Sequence, residues 1–289
     1  MKLTRNKLLE TLKAKNNGWT TYQARKIAGI SIRRVNQIWT IYNRTNAIPE
    51  IGKKVGRPGK PILENEMMLV KDVYQRYRVS ADTLERLIRR DYNQHIPHNK
   101  IHKILLILGY AKKKAKVDIR KKNWIRYERR HSLTAVHIDW HLCANTRLWV
   151  FAVIDDASRK ILALIECENA TMENSIDGMK EALKHGRILQ CISDHGSQFV
   201  SNHDTGEARF TEFLTKQGIH QILCRIKHPQ SNGKVEKWFN IYDNHRQAFK
   251  TKSEFLEWYN TIRPHRSLRF EELETPQIAF VRKMRAEAL

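Results

Sequence analysis

The stretch Thr134–Leu142, TAVHIDWHL, decides the reading of this chain. Taken with the two-residue period of a strand, Val136, Ile138 and Trp140 fall on one face, and His137, Asp139 and His141 fall on the other. Asp139 is therefore expected as a carboxylate on a rigid strand with an apolar underside. Two acids downstream stand in comparable places. Asp194 closes the apolar run that begins at Ile188, and Glu236 lies in a helix that opens at Ser231-Asn232-Gly233.

Working outward, Leu148–Ile154 and Lys160–Cys167 are strand candidates that continue the first in a meander. The pattern then alternates: helix Met172–His185, strand Ile188–Ser193, helix Thr211–Gln217, strand Ile219–Ile226 and a long helix from Gly233. Three antiparallel strands followed by helix-alternating strands predict a mixed sheet with helices on its faces, an α/β core over 132–252. A helical extension is expected over 253–289.

The chain before this core is of a different kind. Of 289 residues carrying a formal charge of +23, residues 1–130 hold 32 Lys and Arg against 10 acids, and the remainder is nearly neutral. A basic half of this size calls for a polyanion. Residues 1–47 read as three helices: 4–15, Tyr22–Ala28 and Ser31–Tyr42, with a tight turn at Gly29-Ile30-Ser31. In the third, Val35, Ile38 and Ile41 point inward and Arg33, Arg34, Asn36 and Gln37 outward. This is a helix-turn-helix plan, in which the outward set would meet bases or phosphates; a plain three-helix bundle with a solvated face is the alternative.

Residues 48–61 form a basic Gly/Pro linker. Its Arg57, between Gly56 and Pro58, either lies in a minor groove or sits in a solvated hinge. Residues 62–110 repeat the three-helix plan, with Asn99, Lys100 and Lys103 outward on the third helix. Residues 111–131 form a second basic linker that includes Lys112, Lys113 and Lys114, and phosphate tracking is its expected role. The four cysteines lack metal-finger spacing and read as buried thiols in a reducing compartment, with no structural zinc. No signal core or membrane-spanning run is present, so a cytoplasmic, nucleoid-associated protein is expected.

The chemistry expected of Asp139, Asp194 and Glu236 follows from their type. Phosphodiester cleavage and strand transfer need an activated oxygen nucleophile and charge relief on the leaving oxygen. Two Mg²⁺ or Mn²⁺ ions held by carboxylates supply both. Asp139 would bridge the metals, with Asp194 on one and Glu236 on the other. Asp155 and Asp156 read as turn residues, and His137 and His195 as polar neighbours rather than ligands. Lys234 and Lys237 either hold a DNA end or form a solvated helix face.

HID at 137–139, IDDASR at 154–159, SDHGSQF at 193–199, HPQSNGKVEKWF at 228–239 and YNTIRPHRSL at 259–268 resemble the blocks of the integrase catalytic core found in retroviral-type integrases and insertion-sequence transposases. The resemblance implies an RNase H-like core preceded by two all-α helix-turn-helix domains. It maps an acidic triad onto Asp139, Asp194 and Glu236. It also implies divalent metal dependence and action as a homo-oligomer on double-stranded DNA at terminal inverted repeats, with strand cleavage and transfer. The 41 residues between Asp194 and Glu236 exceed the family's common spacing, and the polar stretch 201–210 can hold the surplus as a loop. Two rivals are a DNA-binding regulator with a silent core and a nuclease acting on RNA·DNA hybrids.

Overall fold

A computed structural model describes residues 3–51, 61–112, 127–200, 209–224 and 232–285. Two compact units are resolved, 1–61 and 62–289.

The first unit holds α1 (Arg5–Asn16), α2 (Thr21–Ala28) and α3 (Ile32–Thr45). Each start is capped by a hydroxyl. Thr4 accepts from Lys7 N–H, Thr20 forms a capping box with Gln23, and Ser31 accepts from Arg34 N–H. Gly29 ends α2 at φ 65°, a left-handed value that suits glycine, and so turns the chain into α3. Leu8, Leu12, Ala24, Ala28, Val35 and Ile38 are buried in this unit. Ile41, expected inward, is 44% exposed. Trp39 and Tyr42 of α3 pack against this core instead, and Ile41 lies off the face they share with Val35 and Ile38.

The second unit begins with α4 (Glu64–Tyr77), α5 (Ala81–Tyr92) and α6 (His98–Ile107). Their core of Val70, Val73, Leu84, Leu87, Ile88, Ile101, Ile104 and Leu105 also takes in Leu273 from far along the chain.

The sheet follows: β1 (Ala135–Leu142), β2 (Trp149–Asp155), β3 (Ile161–Cys167), β4 (Gln190–Ser193) and β5 (His220–Leu223), in the order β3-β2-β1-β4-β5. β1 pairs antiparallel with β2, and β2 with β3; β4 pairs parallel with β1 and with β5. This order and these directions are those of an RNase H-like core. β4 takes the last four residues of the expected 188–193 strand, and β5 begins one residue later than expected, with residues 225–226 of its expected span outside the described residues.

Both faces of the sheet are covered. On one, Val136, Ile138, Phe151 and Val153 pack against α7 (Met172–Leu183), α8 (Arg209–Lys216) and α11 (Pro276–Arg282), through Met179, Leu214 and Phe280 among others. On the other, Val150, Ala152, Ile154 and Leu164 meet α9 (Gly233–His245) and α10 (Lys252–Glu257) through Val235, Trp238, Phe239, Tyr242 and Phe255. The apolar underside expected for β1 is therefore one of two buried faces. The four cysteines are free thiols: Cys143 and Cys191 are buried, Cys167 and Cys224 partly so. Among the described residues no helix is long and apolar enough to cross a membrane.

Candidate active site

Asp139 sits mid-strand on β1, opposite Ala152 of β2. On its other side, the parallel pairing of β1 with β4 runs only from Ala135↔Gln190 to His137↔Ile192, so β1 is uncovered from Ile138 onward. β4 ends there, and Asp194 is its first residue beyond the strand. In a sheet with parallel strands, a crevice opens at the carboxyl ends where neighbours diverge. Glu236 reaches the same region from the first turn of α9.

The Asp139 carboxyl is pushed up to about 7, first by burial and next by the negative charge of Asp194, with Glu236 adding to it. The Trp140 N–H, which donates to Asp139 Oδ1 at 2.8 Å, and Asn232 oppose the rise. The same field reaches the Cys224 thiol, raised to about 11 by burial and then by Asp194, Asp139 and Glu236. Three acids on three elements thus stand within electrostatic range of one another.

That donor set fits a hard divalent cation: oxygen atoms only, net negative, with one member withdrawn from water. The carboxylates nevertheless stand apart. Among the described residues, no three acidic, histidine or cysteine side chains draw close enough to hold an ion together. Asp194 Oδ1 is occupied by the Gly196 N–H at 2.9 Å, and Asp194 and Glu236 are exposed.

The neighbouring residues divide into those that were legible and those that were not. His141 donates to the Asp243 carboxylate at 2.9 Å and stacks on Phe239, and His195 Nε2 meets the Cys224 carbonyl at 2.8 Å; neither histidine points to a ligand role. Asp155 caps its turn as expected, accepting from Leu133 N–H and from the Ser158 N–H and hydroxyl. Asp156, read from the sequence as another turn residue, is instead a buried hub. Its carboxylate accepts from His137 Nε2 at 2.7 Å, from Lys234 Nζ and from the Arg129 N–H. Burial alone would raise this carboxyl, but the His137 bond and the Lys234 charge outweigh it and hold the group well below the usual range. Lys234 is itself lowered to about 8, by burial and then by Arg159, because one carboxylate shared with His137 does not offset both.

Lys234 therefore turns inward, with Tyr127 under its ammonium at 4.4 Å, and is not on a solvated face. Lys237 is exposed beside Glu236. Arg33, Arg34, Asn36 and Gln37 are exposed and, with Ile32, Thr40 and Ile41, line one open groove on α3. Asn99 and Lys103 are exposed on α6, whereas Lys100 is bonded to Glu66 at 2.6 Å. Lys112 is exposed; Arg57, Lys113 and Lys114 lie outside the described residues. Asp156 and Asn232 were missed, since a turn aspartate and a cap-like asparagine carry no signal of a long-range partner.

Residues 129–229 match the family described as "Integrase core domain". This span includes Asp139 and Asp194 and ends before Glu236. Such cores belong to enzymes of the polynucleotidyl transferase type and generally use divalent metal ions, and the DDE-type transposases and integrases share them. "Putative integrase ORF3" of Spiroplasma virus SpV1-C74 is 26% identical over 152 residues, which are 44% of this chain and 41% of that protein's length. Among solved structures, the catalytic core domain of BIV integrase aligns with a TM-score of 0.42 at 15% identity, covering 52% of this chain and 95% of that one. A chain of the simian T-cell lymphotropic virus intasome in complex with PP2A regulatory subunit B56 gamma aligns at 0.43 and 16% identity, covering 64% and 67%.

Proposed function

We propose that this protein is a transposase that binds the terminal inverted repeats of a mobile element and catalyses metal-dependent DNA strand cleavage and strand transfer. The observation that carries the proposal is the convergence of Asp139, Asp194 and Glu236 at the open end of the β1–β4 pair within an integrase core.

In this reading Asp139, Asp194 and Glu236 hold two Mg²⁺ or Mn²⁺ ions. When bound, the metal supplies charge relief on the phosphate and its leaving oxygen, and a reactive attacking oxygen. The chain's own part is positional. β1 pairs with β2 along the whole stretch that carries Asp139, so Asp139 has a stiff support. The Gly196 N–H orients Asp194, and α9, packed on the sheet face that carries Ala152 opposite Asp139, presents Glu236. The high proton affinity of Asp139 means that the cluster prefers either a proton or a cation, which makes metal uptake compete with protonation.

The outward residues Arg33, Arg34, Asn36 and Gln37 of α3, with Asn99 and Lys103 of α6 and Lys112, are assigned to double-stranded DNA. Lys237 is assigned to the DNA end; Arg57, Lys113 and Lys114 keep that assignment from their sequence alone. A homo-oligomer assembled on DNA in the cytoplasm, at the nucleoid, completes the reading.

The test is strand transfer on a duplex carrying the element's end, with Mg²⁺ or Mn²⁺, comparing wild type with Asp139→Asn and Glu236→Gln. Each variant should bind the end and lose joining by at least about 100-fold, the scale expected when metal or transition-state charge support is lost. EDTA should abolish joining by the wild type. A wild type that binds the end and never nicks or joins would leave a DNA-binding regulator as the better reading.

A further inference from the structure

The first turn of α9 is tied to β1 by two polar links that bracket the acids. Asn232, directly before α9 and 6% exposed, donates from Nδ2 to the carbonyl of Ile138 at 3.2 Å. Lys234 reaches the Asp156 carboxylate, which also accepts from His137 at 2.7 Å. Residues 137 and 138 lead into Asp139, and residues 232 and 234 lead into Glu236. Asp156 is itself fixed to the start of β1, since its N–H donates to the Ala135 carbonyl at 3.0 Å.

Stability alone is a poor account of this arrangement. His137, Asp156 and most of Lys234 are withdrawn from water, and burying such charges carries a desolvation penalty that an apolar replacement would avoid. The packing of α9 through Val235, Trp238, Phe239 and Tyr242 is already extensive. Apolar packing is non-directional, however, and tolerates small slides and rotations. A metal site does not, because a displacement of about 1 Å spoils its geometry. Hydrogen bonds at two points in one helical turn remove that freedom.

We propose that Asn232 and Asp156, the latter through Lys234 and His137, are positioning residues that clamp the first turn of α9 to β1 and so set where the Glu236 carboxylate stands relative to Asp139. The inference rests on the metal-triad reading of this site. It assigns Lys234 a role within the protein instead of on DNA.

The deciding experiment measures Mn²⁺ affinity of the full-length protein by electron paramagnetic resonance, alone and with a short duplex. Wild type is compared with Lys234→Met, Lys234→Arg, Asp156→Asn and Asn232→Ala, and strand transfer and circular-dichroism melting are followed in parallel. Residues that orient metal ligands cost about 10- to 100-fold in metal affinity when lost. Lys234→Met, Asp156→Asn and Asn232→Ala should therefore each weaken Mn²⁺ binding by about 10-fold or more, and Lys234→Arg, which retains a cation for Asp156, should recover most of it. A merely structural role would lower the melting temperature and leave Mn²⁺ affinity intact. A DNA-contact role for Lys234 would weaken duplex binding and leave Mn²⁺ affinity intact without DNA. Either outcome overturns the proposal. Should Asp156→Asn fail to fold, the contrast between Lys234→Met and Lys234→Arg decides alone. If instead wild type neither takes up Mn²⁺ nor joins DNA, the transposase reading falls, and the clamp falls with it.

Discussion

At Gly196 a side chain would crowd the ends of two others. A Cβ there would stand 2.8 Å from Gln198 Oε1 and 3.0 Å from Asp194 Oδ1, the same oxygen that the Gly196 N–H holds. Gly196→Ala should displace the Asp194 carboxylate. The expected result is at least a 10-fold loss of strand transfer with end binding retained and a melting temperature within about 2 °C of wild type, since the turn is exposed. His245 offers a second test at this scale. Burial, then the charges of Arg263 and Arg78, lower its pKa from 6.5 to about 4, and its ring lies 5.3 Å from that of Trp258. An unfolded chain protonates this histidine below about 6.5, and the folded one only near 4. The unfolded state thus binds more protons in that window, and stability should fall as pH drops through it. At pH 5 the loss amounts to about 2 kcal/mol relative to pH 7.5. Urea unfolding at the two pH values should show this drop, and His245→Phe should make it smaller; an unchanged drop would place the acid sensitivity elsewhere.

Between elements, the contact of α7 with the sheet depends on Gly178. An ideal Cβ at this position would fall 2.5 Å from the ring of Phe151, a fully buried residue of β2. The ring is held by Trp140 and Phe199, at centroid distances of 5.1 and 6.3 Å, and has little space to withdraw. Gly178→Ala would gain helix propensity, worth up to about 1 kcal/mol, but it overpacks the core at a cost of about 1–3 kcal/mol. Net destabilisation is expected, and denaturant unfolding reads it. A more stable variant would mean that α7 can lift off the sheet cheaply. On the opposite face, Arg246, directly after α9, grips Glu166 of β3 in a bidentate pair at 2.6 and 3.1 Å, joined by the Tyr242 hydroxyl at 2.8 Å. This bond fixes the far end of α9, as Asn232 and Lys234 fix its beginning.

At the level of the whole chain, the core of α4–α6 is completed by residues from beyond the sheet. Leu273 is 5% exposed within their core, with Ile262 and Phe270 packed against it. Arg86–Glu271 and Arg266–Asp82 span the same junction on the surface. Exposed pairs of this kind contribute little, whereas truncating a buried leucine costs about 2–5 kcal/mol. Leu273→Ala should therefore lower the stability of the second unit by several times more than Arg86→Ala does. Calorimetry on the full chain separates the two. If Arg86→Ala proves equal or worse, surface charge and not apolar burial joins the helices to the sheet domain.

The sequence by itself determined the order and type of the elements, the strand position of Asp139, the helical setting of Glu236 and the basic front half. These follow from local periodicity, capping and composition: Thr20, Ser31 and Gly29 act on their own turns, and the alternation in TAVHIDWHL needs no distant partner. Tertiary structure alone decided what each polar side chain touches. Lys234 reads as a surface cation and is buried on Asp156; Asp156 reads as a turn residue and gathers three donors; Ile41 reads as core and is exposed; Leu273 lies in a core built mainly from residues 70–105. Each of these contacts joins residues far apart in sequence, where spacing carries no information and only packing sets the distance. The convergence of Asp139, Asp194 and Glu236 lies between the two cases. Their placement on separate elements is local, but the burial and the field that lift Asp139 to about 7 exist only once β1, β4 and α9 meet.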